Sequence, residues 1–174
     1  MTLPSDNTGG IRSMPISTSV GEFSARYSSR GLCGLEFPSD TKRQRRAKVA
    51  IRTPERMRRW HLATSKAVRL ALAGRSPKRL PPLDLSAGTA FQRQVWRALR
   101  RIGWGRTRSY AQVAQAVRNP GAMRAVGGAC GANPIPVLVP CHRVVAAGGG
   151  LGGYSGGLNW KRALLRREGI RPPD

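Results

Sequence analysis

Cysteine is scarce in this chain, with 3 among 174 residues. Cys33, Cys130 and Cys141 are too few and too scattered for a disulfide framework. No CxxC pair or Cys/His cluster has the spacing of a zinc site. Long apolar runs are also missing. None approaches the ~18 residues of a membrane span, and no basic segment followed by an apolar one opens the chain as a secretory leader would. These absences predict a soluble, cytoplasmic protein of a reducing compartment, with no metal, no cofactor and no membrane partner. Acid is the third shortage, with 8 Asp and Glu against 31 Lys and Arg.

The resulting net charge of +23 should attract a polyanion, with nucleic acid the first candidate. Arginine supplies 26 of the 31 basic residues, and its fork suits phosphate geometry, although codon bias alone also enriches it. The excess is uneven. Residues 42–108 hold 20 basic residues and 2 acidic ones, whereas 1–41 hold 3 and 4. An apolar content of 40% still permits a sizeable core.

Residues 1–18 are polar and broken by Gly and Pro, and are expected to fray in part. Residues 21–38 read as a hairpin about "SSRG", with Cys33 in its second strand as a core residue. A basic loop follows over 39–48. The spacing then predicts a helix over 53–74, capped by Thr53, with a stripe of Met57, Trp60, Thr64, Ala67 and Ala71 and a stop at Gly74. His61 lies beside that stripe as a surface or packing residue. The Pro-rich stretch 75–88, with an extended piece around "LDL", divides an N-terminal domain (1–85) from a C-terminal one (86–174). Further helices are predicted over 89–105, capped by Thr89, over 109–117, capped by Ser109, over 121–133, and over 159–169, capped by Asn159 and stopped by Gly169. Arginines on the first of these form either a solvated face or a DNA-lining one. The two short helices joined at "RNP" suggest a helix-turn-helix. Gly127 and Gly128 inside the second cost ~1 kcal/mol each relative to Ala, so a close approach is implied, to a groove or to another helix.

The stretch "NPIPVLVPCHRVV" (133–145) concentrates the chemistry. "VLV" reads as a buried strand followed by a thiol, an imidazole and a guanidinium. A free thiol with pKa ~8.5 needs a base or a positive neighbour to become a nucleophile. His142 is adjacent, yet consecutive strand residues face opposite ways, so Pro140 must bend the chain for the pair to meet. Glu168, one of few acids, could orient the imidazole. From the residues alone, Cys141 is either reactive or a buried structural cysteine. The glycine-rich 146–158 lacks a phosphate-loop ending, and Tyr154 and Ser155 within it suggest a loop that closes over something.

These residues resemble the O6-alkylguanine-DNA alkyltransferases, the methylated-DNA–protein-cysteine methyltransferases. The likeness runs through "FQRQVWRALRRI", "TRSYAQVAQAV", "MRAVGGACGANPIPVLVPCHRVV" and "GGYSGGLNWKRALLRREG", and the hairpin resembles the family's less regular N-terminal part. It implies an α/β N-terminal domain of ribonuclease H-like topology and a mainly α, winged-helix-like C-terminal domain containing the helix-turn-helix. It implies irreversible, single-turnover transfer of an alkyl group from O6-alkylguanine, and from O4-alkylthymine, to Cys141 after nucleotide flipping from the minor groove. His142 would be the base through a water, Glu168 its orienting group, and Tyr110 a proton donor to guanine N3. Arg124 would fill the space of the flipped nucleotide. Ala125, Gly127 and Gly128 would meet DNA, and Asn133 would tie the recognition helix to the active-site strand. Ser155 would bind O6, the Val144 backbone would read the guanine amino group, and Tyr154 would help to line the substrate site. The expected partner is double-stranded DNA carrying O6-alkylguanine, bound by a monomer that can act cooperatively, in a bacterial, nucleoid-associated setting. A non-catalytic damage binder, like the alkyltransferase-like proteins, is the alternative; those lack the cysteine. The chain departs from the usual pattern at Gly103, Trp104 and Arg106, and at Cys130 and Gly131 in the recognition helix. It also lacks the N-terminal zinc ligands of some relatives and is too short for the phosphotriester-repair domain of others. Arg143 has no role on these grounds.

Overall fold

A computed structural model describes residues 10–38 and 53–171. The basic loop expected at 39–48 lies outside them. Strand β2 (Gly21–Ser28) alternates cleanly, with Phe23, Ala25 and Tyr27 buried on one face. It pairs antiparallel with β3 (Gly31–Glu36), as the hairpin reading expects. Within the stretch 1–18, expected to fray in part, residues 12–18 form an edge strand, β1 (Arg12–Thr18), antiparallel to β2. Pro15 is exposed there, and an edge position tolerates its missing N–H, while Ile16 anchors the strand in the core. The sheet order is β1-β2-β3. The open side of β3 is covered by the extended "LDL" segment, where Leu32 N donates to Pro82 O (2.8 Å) and Asp84 N to Leu32 O (2.7 Å).

Helix α1 (Glu55–Leu72) packs on this sheet through the expected stripe, with Met57, Thr64, Ala67 and Ala71 buried and Trp60 half-buried. Its cap is Pro54 rather than Thr53, with no side-chain cap bond. His61 packs against Tyr27, its Nδ1 3.1 Å from the phenol oxygen. Cys33, expected in the core, is only partly buried.

Helix α2 (Ala90–Leu99) opens on a Thr89–Gln92 capping box and ends well before Gly105, because Ile102 N bonds back to Leu99 O and Gly105 takes φ 69°. Helix α3 (Tyr110–Ala116) opens on a Ser109–Gln112 capping box, and Arg118 leaves it at φ 57°. Helix α4 (Met123–Gly131) follows directly. Helix α5 (Leu158–Arg167) is capped by Gly157, not Asn159. A short parallel pair, β4 (Arg108–Ser109) with β5 (Val144–Val145), joins the start of α3 to the residues after Cys141. The sheet buttresses the helices from behind. Phe23 and Phe37 pack on Trp160 of α5, Leu35 N donates to Pro134 O (2.8 Å), and Arg167 Nε donates to Leu72 O (2.8 Å). Among the described residues, no helix is long and apolar enough to cross a membrane.

Candidate active site

The run "VLV" is not a strand. Prolines 134, 136 and 140 remove donors that a central strand would need, and the segment instead coils within the core. Val139 N bonds to Ile135 O (2.9 Å), and Val137 sits at φ 71°, an unusual value for a β-branched residue. Pro140 then adopts φ −81°, ψ 64°, and Cys141 N reaches Val139 O at 2.8 Å, which is an inverse γ-turn. Cys141–Arg143 continue as one 3-10 turn. There, successive side chains are ~120° apart rather than opposed, so Cys141, His142 and Arg143 can all be buried.

Asn133 holds this turn. Its Oδ1 accepts from Ile135 N (3.1 Å), while Nδ2 donates to Val139 O (2.8 Å) and to Cys141 Sγ (3.0 Å). Burial raises the Cys141 pKa; the Asn133 donor and the nearby Lys161 charge oppose that rise.

Behind the thiol, His142 is 1% exposed and its Nε2 lies 2.7 Å from Glu168 Oε1. Burial and the pairing with His142 and Arg143 act in opposite directions on Glu168, and the pairing holds its pKa down. An ionised carboxylate accepts, which assigns the proton to Nε2 and leaves Nδ1 as the basic lone pair. Nδ1 meets no hydrogen-bond partner among the described residues. Burial, with the Arg143 and Lys161 charges, lowers the His142 pKa, and Glu168 opposes that fall.

In front of the thiol is a cavity of about 330 Å³. It brings together Cys141, Tyr110, Gly127, Tyr154 and Ser155 from the expected set, and adds Cys130, Gly131 and Gly153. Gly152 has φ 66°, and a Cβ there would stand 2.8 Å from the Tyr110 hydroxyl, so only glycine lets the loop pass this phenol. Burial raises the pKa of Tyr110 and raises that of Tyr154 well above the phenol range, so both keep their protons. The Tyr154 hydroxyl is buried and interacts with the Cys141 thiol. Val144 does not line the cavity; its carbonyl accepts from Lys161 Nζ at 2.6 Å.

Arg124, Ala125 and Gly128 are exposed along α4. A Cβ on Gly128 would meet nothing within 4 Å, and one on Gly127 would only touch Tyr110 at 3.8 Å. Packing between helices therefore does not account for these glycines. Two buried groups escaped the reading of the sequence. Lys161 is fully buried and donates to the carbonyls of Val144, Leu151 and Gly153 (3.3 Å), pinning the glycine-rich loop to α5. Its signal was present, since 161, 164, 165 and 168 form one helical stripe. Arg143 donates to Glu168 through Nε (2.9 and 3.1 Å) and Nη2 (3.0 Å), and to Ile102 O through Nη1.

A buried cysteine is thus backed by a histidine–carboxylate pair and opens on a cavity beside α4, an arrangement that can serve a cysteine nucleophile. Residues 90–170 match the family described as 6-O-methylguanine DNA methyltransferase, DNA binding domain. A methylated-DNA–protein-cysteine methyltransferase of Mycobacterium tuberculosis H37Rv is 57% identical over 91 residues, 52% of this chain and 54% of that protein. The bifunctional transcriptional activator/DNA repair enzyme Ada of Escherichia coli K12 is 41% identical over 157 residues, 86% of this chain and 43% of the relative. The chain thus spans about half the length of these curated relatives. The crystal structure of Mycobacterium tuberculosis OGT in complex with DNA superposes with a TM-score of 0.72 at 35% identity, covering 93% of this chain and 94% of that one. The chain belongs to the O6-methylguanine DNA methyltransferase family, and its fold is the mixed α/β fold of those structures.

Proposed function

We propose that the chain repairs DNA as a methylated-DNA–protein-cysteine S-methyltransferase, moving the alkyl group of O6-alkylguanine, and of O4-alkylthymine, irreversibly onto Cys141. The observation that carries this reading is Cys141 Sγ at the wall of the cavity, held by Asn133, with the His142–Glu168 pair behind it. As the S–C bond forms, the O6–C bond breaks. The thiol proton passes through one water to Nδ1 of His142, and Tyr110 gives a proton to N3 of the departing guanine. O6 is out of reach in a stacked duplex, so the nucleotide is flipped into the cavity and Arg124 takes its place. Ala125, Gly127 and Gly128 present a smooth α4 surface to the minor groove. Ser155 binds O6 and Tyr154 lines the alkyl side. Asn133 acts as the hinge between α4 and the Cys141 turn. We place the boundary between the ribonuclease H-like part (1–85) and the winged-helix-like part (86–174) at the Pro-rich stretch. The protein acts as a monomer on nucleoid DNA and can bind cooperatively. A non-catalytic damage binder has no observation in its favour, because the thiol is in place.

Incubation with a duplex containing O6-methylguanine should add the mass of one methylene to the Cys141 peptide, once per protein molecule. Sustained turnover, or label on another residue, would refute the mechanism. Binding should also fall steeply with salt and vary little with sequence, since the charge excess displaces counterions. A titration whose affinity stays flat between low and physiological salt would contradict the electrostatic part of the reading.

A further inference from the structure

Arg143 is buried, with 11% of its side chain exposed, against a Glu168 side chain that is 3% exposed. It reaches both carboxylate oxygens, and its third nitrogen is fixed by Ile102 O. Trp104 lies over the guanidinium at 5.4 Å, and Gly105 N donates to Glu168 Oε2 at 3.1 Å. Nothing in the alkyl-transfer step uses this guanidinium, yet it holds the same carboxylate that orients the base.

We propose that Arg143 is a positioning residue for the transfer reaction: it neutralises and grips Glu168, so that this carboxylate aims His142 without charging it. This rests on the alkyl-transfer reading above. A buried carboxylate facing an imidazole alone would draw a proton onto the ring and remove the lone pair that has to accept the thiol proton. With the guanidinium donating to both carboxylate oxygens, including the Oε1 that faces His142, the negative charge is already balanced, and toward the imidazole Glu168 serves as an acceptor for Nε2–H. The charged groups acting on His142 are Glu168 from the end of α5, Arg143 from its own turn and Lys161 from α5. Glu168 favours the protonated ring, whereas both cations and burial oppose it.

The test measures single-turnover transfer from O6-methylguanine duplex between about pH 5 and about pH 9. Wild type, Arg143→Met and Arg143→Lys are compared. In Arg143→Met, the acid limb should move up by about one pH unit or more, cutting the rate about tenfold or more at pH values below both limbs, by less near neutrality, and recovering it at high pH. Arg143→Lys should move the limb less. A rate lowered equally at every pH, with the limb unmoved, would reduce Arg143 to a structural role and overturn the proposal. The wild type supplies a second measurement that needs neither variant nor transfer, because the chain has 2 histidines whose ring resonances can be followed by NMR. His142 should remain a neutral Nε2–H tautomer at neutral pH and charge only below the ordinary histidine range; an imidazolium at neutral pH would overturn the proposal. Absence of any transfer by the wild type would instead refute the functional reading and leave the NMR titration to decide this one.

Discussion

Cys141→Ala protein mixed with a duplex containing O6-methylguanine should leave the alkyl group entirely on the DNA, while still binding that duplex about as well as the wild type. The sulfur is the acceptor, so its loss cannot be offset by slower chemistry elsewhere in the cavity. Cys130, which shares the cavity, is the internal control. Burial, followed by the neighbouring Cys141, pushes its thiol up to about 12, and the histidine–carboxylate pair stands behind Cys141 instead. Cys130→Ala should therefore keep stoichiometric transfer. The cost of Cys141→Ala to stability should be small, about 1 kcal/mol, or a fall in Tm of about 2–4 °C for a chain of this size. Asn133 loses one acceptor but keeps Val139 O, so α4 remains tied to the turn. Electrophoretic mobility shift with labelled duplex and mass analysis of the Cys141 peptide check the two halves separately. Loss of DNA binding together with transfer would mean that the thiol is structural. Transfer onto Cys130 in the Cys141→Ala protein would mean that the cavity, rather than the Asn133–His142–Glu168 arrangement, makes the nucleophile.

The difference between these two cysteines also marks how far the sequence could be read. Helices α2 and α3 were legible to the residue at their starts, because Thr89 and Ser109 each stand before Gln at the third helical position and cap themselves. Strand β1 was not legible, since its few apolar residues and Pro15 suit only an edge, and an edge is defined by the neighbour that covers one side. The bend at Pro140 followed from the proximity that Cys141 and His142 require, but "VLV" was misread. An apolar run of this length looks alike whether it extends or coils, and the prolines that decide the matter act through donors they lack. Arg143 and Lys161 were hidden for a different reason. In a chain with this much basic charge, two more cations carry no signal until their burial is seen. The partners of Arg143, Glu168 and Ile102, lie 25 and 41 residues away along the chain. Glu168 was the exception, because acids are so scarce that one near the end of the last helix invites a role.

That carboxylate is the basis of the second large effect. Glu168→Ala should destabilise the protein by about 3–5 kcal/mol, because it leaves the Arg143 guanidinium buried and without its counter-charge. Thermal unfolding at neutral pH should show a fall in Tm of roughly 6–20 °C. Transfer measured well below the new Tm should fall by about 10²-fold or more, since His142 loses the acceptor that fixes its tautomer. The wild type should show the same dependence through pH. The Glu168 pKa is held below its unfolded value, so the contribution of this group is present above the ordinary carboxylate range and is lost as pH falls through the depressed folded value. The pKa of His142 is also lowered on folding, so acid weakens the fold through this group too, beginning where free histidine starts to charge. A double variant separates the two jobs of the carboxylate. Glu168→Gln with Arg143→Met removes both charges together and should regain much of the stability lost in Glu168→Gln alone, because a buried ion pair replaced by neutral groups of similar size is often close to neutral in cost. It should regain none of the transfer, because His142 still faces no carboxylate. If the double variant is as unstable as Glu168→Gln, the stability of this region comes from packing around Trp104 and Ile102 rather than from compensated charge; if it regains transfer, Glu168 does not orient the base.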